Sequence, residues 1–337
     1  MPPSTTLHLN FDSLFFEAMR GLNISMEIKA DRTITMNYKP TVRSTPPRNQ
    51  RLPRSLLELA KPRIVFLIAY CGGASILVAS RFASPSVPFT IALISFILGS
   101  AGCNAVTSYI DRDIDAVMER TRKRPIPEGR TTPRQALAYG AMLTVGGISL
   151  SWFLGPVIFV IGLLGVLDNV VVYSLLSKRR TTTNIILGSF SGAAPVLIGW
   201  VLARGAIDLM GIIIASLVVL WIPNHIWSLA LYYADDYRKA GVPMLPAMLD
   251  MKKAARCIVS TVFLLIAFSL LPFALGFLGE TYLLISMPFT VVLAAGNLWL
   301  ALRPSKKLAW RMFKISSPYL FILFFAMMLD QLPHLIL

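Results

Sequence analysis

Nine long apolar runs constrain this chain more than any other feature of its sequence. A helix needs about 20 apolar residues to cross roughly 30 Å of hydrocarbon. Hydrophobic residues make up 55% of the chain and charged residues only 15%, which is too apolar for a soluble domain. The sequence therefore predicts an all-α, polytopic membrane helix bundle with nine transmembrane helices. The predicted spans are 64–80, 88–110, 135–154, 157–177, 184–203, 207–233, 255–277, 282–302 and 313–333.

The basic residues predict how this bundle is oriented. With the N-terminus inside, all but two of the 32 Lys and Arg residues fall on the inner side, the exceptions being Arg81 and Arg204. Because positively charged loops stay cytoplasmic, we expect an N-in/C-out topology in the cell membrane, or in the mitochondrial inner membrane of a eukaryote. The net charge of +15 lies between apolar spans, so it indicates a lipid surface and no nucleic-acid partner.

The first 54 residues differ in composition from the rest of the chain. They are polar, lack the apolar core of a signal peptide, and carry acidic residues that a transit peptide would avoid. We expect 1–54 to be a poorly ordered cytoplasmic extension and 55–337 to be one intramembrane domain. Three cysteines lie in apolar stretches without metal-ligand spacing and are predicted to be packing residues. They are Cys71, Cys103 and Cys257.

Two spans end on the inner face in acidic clusters. The second span is followed by Asp111 and Asp115, which a continuing helix places one turn apart on one face. The sixth span is followed by Asp235 and Asp236. Like charges at such spacing repel, and carboxylate oxygens are the ligands that Mg²⁺ prefers. Both ends are therefore candidate metal sites.

Basic residues surround both clusters on the same side. Mg²⁺ binds through one or two carboxylates plus substrate phosphates, while Arg and Lys contact the remaining phosphate oxygens, so a diphosphate substrate fits both sets. The alternative is that acids and bases merely pair with each other and with anionic lipid, at about 0–1 kcal/mol for each exposed pair. The basic set is Arg120, Arg122, Lys123, Arg124, Arg130, Lys178, Arg179, Arg180, Arg238 and Lys239.

Several polar groups lie inside predicted spans, where they normally face a bundle interior. His225, after Pro223 and Asn224, could bind or orient a substrate, act as a base, or hydrogen-bond a neighbouring helix. The small-residue run 188–195 allows close helix packing or makes space for a bulky ligand. Asp168 could be a paired structural group, a neutral acid or part of a cavity.

Taken together, these segments resemble the protoheme IX farnesyltransferases (haem O synthases), a branch of the UbiA-type intramembrane prenyltransferases. The resemblance runs from about residue 55 to the C-terminus, and its 118–125 and 241–246 segments are specific to the haem branch. The matching segments are 59–63, Asn104 with 109–115, 118–125, 178–181, 194–200, 225–227 and 235–246.

The resemblance implies a nine-helix bundle with a central cavity opening near the cytoplasmic face, and Mg²⁺ on two aspartate motifs. The metal ligands and catalytic acids would be Asp111, Asp115, Asp235 and Asp236, with His225 as a further catalytic residue. The expected substrate-binding residues are Asn104, Thr107, Arg120, Arg124, Lys178, Arg179, Arg238, Lys239 and Lys61. Two positions depart from the family pattern: Thr107 replaces its first Asn, and Asn224 replaces the Pro before the histidine.

The implied reaction is transfer of a farnesyl, or longer prenyl, group from a prenyl diphosphate to a vinyl group of haem B. The product is haem O, on the route to haem A. One alternative is a prenyltransferase acting on a quinone, chlorophyll or ether-lipid precursor, against which the 118–125 and 241–246 segments argue. Another is a membrane transporter, although transporters usually carry coupling residues near the membrane midplane, and most acids here lie at one interface.

Overall fold

The computed structural model describes residues 25–28, 34–37, 52–83 and 86–332. The chain divides into two units, Met1–Pro46 and Pro47–Leu337. In the first unit, strands β1 (Ser25–Ile28) and β2 (Ile34–Asn37) form an antiparallel hairpin that the sequence analysis did not predict. The expectation of a poorly ordered extension falls mostly outside the described residues and remains a prediction.

The second unit is entirely helical in its described part, as predicted. Between α6 and α7 the chain continues α6 as a π-helical segment, Asp168–Ser177. The helices are α1 (Leu52–Ala60), α2 (Pro62–Ser80), α3 (Ser86–Ile110), α4 (Arg112–Val117), α5 (Pro133–Trp152), α6 (Pro156–Leu167), α7 (Asn184–Leu187), α8 (Phe190–Arg204), α9 (Leu209–Tyr232), α10 (Ala234–Lys239), α11 (Leu245–Met248), α12 (Met251–Ala274), α13 (Glu280–Leu302) and α14 (Lys306–Gln331).

Eight helical stretches of the described chain are long and apolar enough to cross a membrane, so this is a multi-pass membrane protein. Each coincides with a predicted span. The remaining predicted span, 135–154, is helix α5, whose polar and glycine-rich sequence makes it less apolar than the others. Its crossing of the bilayer, and with it the count of nine spans and the N-in/C-out orientation, remains a prediction.

Glycines bring the long helices into close contact at two places. A Cβ atom on Gly102 of α3 would lie 2.4 Å from the backbone nitrogen of Thr144 in α5. A Cβ on Gly199 of α8 would lie 2.4 Å from the carbonyl oxygen of Gly72 in α2. Small residues at such crossings let helices pack in lipid, where the hydrophobic effect does not drive association. These contacts join α3 with α5 and α2 with α8.

A change of helix type places Asp168 inside the bundle. Asp168 begins the π-helical segment, and its Oδ2 accepts a hydrogen bond from the backbone nitrogen of Ser191 at 2.8 Å. This bond ties the first turn of α8 to the start of the π-helical segment. The sequence left open whether Asp168 is a paired structural group, a neutral acid or part of a cavity. This contact supports the structural role. All three cysteines are free thiols, with Cys71 and Cys103 buried.

A cavity of about 110 Å³ lies between α2, α3, α5, α6 and α8. Its wall includes four members of the small-residue run singled out in the sequence, so that run makes open space as well as helix contact. They are Ser191, Gly192, Ala194 and Pro195.

Candidate active site

We call the inner end of α3 with α4, which carries Asp111 and Asp115, the first acidic end, and α10, which carries Asp235 and Asp236, the second. At the first acidic end the helix bends at Asp111 and continues. The backbone nitrogen of Asp111 bonds to the Thr107 oxygen at 2.9 Å, and that of Asp115 bonds to the Asp111 oxygen at 2.8 Å. The helical hydrogen-bond pattern therefore runs from α3 into α4. Asp111 and Asp115 lie one turn apart, as the sequence predicts, and both are buried, at 6% and 4% exposure.

Each buried carboxylate has a basic partner from a different segment. The Lys178 ammonium contacts Asp111 Oδ2, and Arg124 Nη1 donates to both oxygens of Asp115 at 2.9 and 2.8 Å. Burial opposes the charge on Lys178, but nearby Tyr173 and the Asp111 carboxylate, with which it forms an ion pair, raise its pKa. A buried charge needs such a partner.

Lys61 supplies a third cation at this end. It stands between α1 and α2 with a positive φ of 54°. Burial lowers its pKa to about 7, and the neighbouring Arg124 and Lys178 charges add to this effect. Three basic groups therefore face two carboxylates here, and an additional anion would favour the charged form of Lys61.

Two of the predicted bases pair with acids outside the buried first end. Arg179 forms a forked pair with Asp113 at 2.6 and 2.7 Å on the exposed surface, which raises the pKa of Arg179. Burial opposes ionisation of Asp113, but the Arg179 bonds outweigh it and lower the pKa of that carboxyl. Arg130 is held by Glu58 and Glu128 and ties α1 to the loop before α5. These two guanidiniums pair with protein carboxylates.

The second acidic end is open to solvent. Asp235 stands at the start of α10 with its side chain 57% exposed, and it pairs with Arg238 and Lys306. Hydrogen bonds from Lys306 and then Arg238 lower the pKa of Asp235 to about 2. Lys239 is exposed. Lys306 was not among the predicted site residues, although it lies in the basic junction between the last two predicted spans.

Arg120 connects the two acidic ends. Its backbone nitrogen donates to Asp236 Oδ2 at 3.2 Å, and its Nη2 lies 3.4 Å from the Tyr237 hydroxyl. Its guanidinium stands over the Tyr233 ring at 5.4 Å. Within the described residues, its buried Nε has no hydrogen-bond partner. The loop after α4 and helix α10 therefore meet, as a shared substrate would require.

The fit of the acidic residues to a metal ion depends on how many ligands the protein alone must supply. Within the residues described, no three His, Cys, Asp or Glu side chains converge. Asp111 Oδ1 is nevertheless buried without a hydrogen-bond partner in that part of the chain, so a carboxylate oxygen is open to a cation. Mg²⁺ characteristically takes one or two carboxylates and completes its shell with water and substrate phosphate. The residues present fit that mode of binding better than a cage made of protein ligands alone.

Asn104 and Thr107 lie on the same helix face as Asp111 but use their polar groups locally. Asn104 Nδ2 donates to the Ala60 oxygen at 3.2 Å and so holds the residue that precedes Lys61. The buried Thr107 hydroxyl donates to the Asn104 oxygen at 3.1 Å. Neither group is bonded to a side chain of the acidic ends.

His225 lies half-buried in α9 against α14. Ser316 Oγ donates its single proton to the Phe313 oxygen at 2.8 Å, so it accepts from His225 Nδ1 at 2.7 Å. This assignment, made from the hydrogen bonds, leaves Nε2 of a neutral ring with an open lone pair. Ser316 is a partner that the sequence did not identify.

Aromatic rings continue from His225 towards the acidic ends. The His225 ring stacks on Trp221 at 4.5 Å and lies 4.4 Å from Phe313. Phe313 stacks on Trp310, which stacks on Tyr232 at the end of α9. We call Trp221, Phe313, Trp310, Tyr232 and Tyr233 the aromatic wall. Apart from the buried Trp221, these rings are partly exposed, so they offer apolar surface near the imidazole of His225.

The chain resembles proteins of one family along most of its length. Residues 65–326 match the model of the UbiA prenyltransferase family. A protoheme IX farnesyltransferase of Desulforudis audaxviator is 42% identical over 82% of this chain and 88% of its own. Another, of Korarchaeum cryptofilum, is 38% identical over 82% of this chain and 93% of its own.

Solved structures share the fold at lower sequence identity. The structure titled for digeranylgeranylglyceryl phosphate synthase has a TM-score of 0.70 at 20% identity, covering 84% of this chain and 100% of that one. A UbiA homologue of Archaeoglobus fulgidus bound to GPP and Mg²⁺ has a TM-score of 0.57 at 15% identity, covering 81% and 99%. This protein is a transferase that belongs to the UbiA prenyltransferase family and, within it, to the protoheme IX farnesyltransferases.

Proposed function

We propose that the protein transfers a farnesyl group from farnesyl diphosphate to a vinyl group of haem B, forming haem O, a step in haem A biosynthesis. The relatives at 42% and 38% identity, both named protoheme IX farnesyltransferase, are the observation that carries this assignment. The buried, cation-rich first acidic end supports the donor half of the reaction. The open His225 nitrogen and the aromatic wall support the acceptor half.

The donor's diphosphate binds between the two acidic ends in this proposal. Lys61, Lys178 and Arg124 bring positive charge to the phosphate oxygens from the first end. Arg238 and Lys239, in the last turn of α10, would supply the charge of the second end. When bound, Mg²⁺ supplies further positive charge to the leaving diphosphate, as the UbiA homologue structure with GPP and Mg²⁺ suggests. Asp111, Asp115, Asp235 and Asp236 are the residues that would hold it.

Bond cleavage follows from this arrangement of charge. The bond between the allylic carbon and the diphosphate oxygen breaks, and the electron pair leaves with the diphosphate, where the cations stabilise it. The apolar bundle interior excludes water from the prenyl cation until the acceptor reacts. A vinyl carbon of haem supplies the electron pair of the new carbon–carbon bond. Water then adds to the resulting cation and loses one proton, which gives a hydroxyalkyl group.

The acceptor lies along the aromatic wall in this proposal. A planar, largely apolar macrocycle fits stacked rings at separations of about 4.5–7 Å. Arg120, with its open Nε, is placed to receive a carboxylate of that macrocycle. The lone pair of His225 Nε2 is available to contact haem or to accept the proton that the added water releases. Both roles leave Nδ1 bonded to Ser316.

Location follows from the topology. We propose that the protein lies in the plasma membrane with the acidic ends on the cytoplasmic side, where haem B and soluble farnesyl diphosphate are available. The described spans and the basic inner loops support this placement. In a eukaryote, the corresponding membrane would be the mitochondrial inner membrane.

Purified protein should convert haem B and farnesyl diphosphate to a prenylated haem in the presence of Mg²⁺. Mass spectrometry would detect the added prenyl and hydroxyl groups, and a chelator should stop the reaction. If farnesyl and geranylgeranyl donors leave haem unchanged while a quinone, chlorophyll or ether-lipid precursor is prenylated, the haem assignment is wrong. Uptake of a solute by proteoliposomes without any prenylated product would indicate a transporter.

A further inference from the structure

We propose that a groove at the junction of α13 and α14 binds the phosphate of an anionic phospholipid. The groove has a volume of about 350 Å³ and lies where the chain turns between the last two long helices. Its basic lining residues are Arg303, Lys307 and Arg311, and its apolar ones include Trp299 and Leu308. We call it the junction groove. The inference goes beyond the proposed function and does not depend on it.

Three cations face the junction groove without a carboxylate between them. No Asp or Glu lines it, and within the described part of the chain Arg303, Lys307 and Arg311 form no ion pair. Lys307 and Arg311 lie one turn apart on one face of α14, and like charges at that spacing repel. The adjacent Lys306, by contrast, pairs with Asp235. The three charges of the groove therefore favour an anionic ligand.

The start of α14 adds to this positive field. A helix carries a partial positive charge at its N-terminus, and α14 begins at Lys306 and is 26 residues long. Ser305, which also lines the groove, caps the helix by accepting a hydrogen bond from the Leu308 nitrogen at 3.2 Å. Lys307 and Arg311 therefore extend from a fixed helix start. Phosphate suits this combination, because helix N-termini and guanidinium groups both bind its oxygens.

An aromatic ring places the third cation at the membrane surface. The Arg303 guanidinium stands over the Trp299 ring at 5.1 Å. Trp299 is 53% exposed and lies in the last turn of α13, a helix long and apolar enough to cross a membrane. Trp is enriched at this depth, between the headgroups and the acyl chains. A guanidinium over a ring can still donate its N–H groups to phosphate oxygens, so Arg303 is placed to bind a headgroup.

The apolar neighbours of the groove indicate a lipid instead of a free anion. Leu298 and Leu302, on either side of Trp299 in α13, are 47% and 70% exposed. Exposed apolar side chains of a membrane-spanning helix face acyl chains. A phospholipid whose phosphate lies in the groove can therefore place its chains along this part of α13. A free phosphate would gain the charge interaction alone.

The junction groove lies beside the second acidic end without being part of it. Lys306 and Lys307 are consecutive, and successive side chains of a helix leave its axis at directions roughly 100° apart. The Lys306 ammonium pairs with Asp235, whereas Lys307 lines the groove. A headgroup bound at Lys307 therefore rests on the same short junction that positions Lys306 and displaces none of the residues proposed to bind the donor.

The test compares two variants that each lose three exposed basic residues and so have equal net charge. One removes the charge of the groove, and the matched control removes charge from the start of α12. A third variant exchanges Lys and Arg within the groove and keeps its charge. The variants are Arg303→Gln/Lys307→Gln/Arg311→Gln, Lys252→Gln/Lys253→Gln/Arg256→Gln and Arg303→Lys/Lys307→Arg/Arg311→Lys.

Each delipidated full-length protein is titrated in detergent with phosphatidylglycerol or phosphatidylcholine, and the bound lipid is counted by native mass spectrometry. Thermal melting of each variant checks that it is folded. We expect the original protein and the charge-conserving variant to prefer phosphatidylglycerol. The neutral groove variant should bind it on the order of tenfold to a hundredfold more weakly, and the α12 variant less than about threefold more weakly, because each basic residue at the headgroup attracts an anionic lipid. Lys307→Gln alone, a milder change, should give a smaller loss in the same direction.

Unchanged affinity in the groove variants, or equal losses in the groove and α12 variants, would overturn the proposal, because the attraction would then come from the charge of the whole surface. Inorganic phosphate added as a competitor separates the two sources of the anion. It should leave the lipid bound, since it lacks acyl chains. Displacement of the lipid by equal concentrations of phosphate would identify a site for a free anion and refute the lipid assignment.

Discussion

The two acidic helix ends have similar sequences and opposite environments. Asp111 and Asp115 are buried, at 6% and 4% exposure, and each pairs with a base from a different segment of the chain. The Asp235 side chain is 57% exposed and pairs with bases on the surface. Taking charges out of water costs several kcal/mol for each ion, so the first end must be assembled as part of the fold. The second end can remain hydrated until a ligand arrives.

This difference indicates a division of labour. We infer that the first end, with its three basic groups and one open carboxylate oxygen, is organised in advance for the diphosphate. The second end touches it through Asp236 and the backbone of Arg120. We infer that it completes the site around a ligand that is already bound. Substitutions at the two ends should therefore differ in size and in the kinetic constant that they change.

The largest effect is expected for Asp111→Asn. The change removes the charge opposite Lys178 and weakens the open oxygen as a ligand, so turnover should fall by about 10²–10³-fold. Breaking a buried pair costs up to about 3–5 kcal/mol, although the amide preserves some hydrogen bonding. Prenylated haem measured by mass spectrometry, together with melting in detergent, would separate the two losses.

Asp113→Asn is the matched control, because it makes the same change two residues away. Asp113 pairs with Arg179 on the exposed surface, where an ion pair contributes about 0.2–1 kcal/mol. Turnover should stay close to that of the original protein. Equal losses in the two variants would mean that burial does not distinguish the acids of this loop.

A smaller effect is expected for Asp235→Asn at the second end. Because Asp235 is solvated, its loss should raise the KM for the donor by about tenfold, and additional Mg²⁺ should partly compensate.

Its pKa of about 2 lies below the ordinary value, so its stabilising pairs are complete above about pH 4 and are lost only as the pH falls towards 2. The control is Asp250→Asn, an exposed acid that caps α12. A fall in kcat as large as that of Asp111→Asn would refute the division of labour.

The sequence was sufficient for the parts of the fold that depend on local composition. The apolar runs located the long helices, because length and apolarity decide which segments lipid can solvate. The spacing of Asp111 and Asp115 placed them on one face, because the helix continues past its bend. The π-helical segment was not foreseen, since a change from four- to five-residue hydrogen bonding leaves the composition of a helix unaltered.

Contacts between distant segments were the part that the sequence could not supply. Lys306 lies 71 residues from Asp235, and Ser316 lies 91 residues from His225. These pairs depend on how α14 packs against α9 and α10, which the hydrophobic pattern of apolar helices does not specify. The basic residues were predicted as one phosphate-binding set, and only the fold separates Lys178, in the buried site, from Arg179, on the surface.

The smallest effect concerns Lys61, whose charge depends on what the first end contains. Burial and then the neighbouring cations lower its pKa to about 7, from an ordinary value of about 10.4. Below pH 7 the folded protein bears the full cost of a buried ammonium, and that cost declines as the pH rises through 7 towards the unfolded value. A bound diphosphate supplies negative charge and should restore the pKa.

Donor binding should therefore take up a proton at Lys61, approaching about one proton at pH 8 and falling towards none at pH 6, where the free protein is already charged. Calorimetry in two buffers with different ionisation enthalpies would measure this uptake. Lys61→Met should abolish it and weaken binding. Lys61→Arg should also abolish it but bind with little pH dependence, because guanidinium stays charged. Uptake that persists in Lys61→Arg would assign the proton to the substrate or to another group. It would then follow that Lys61 is not the neutral group that the diphosphate protonates on binding.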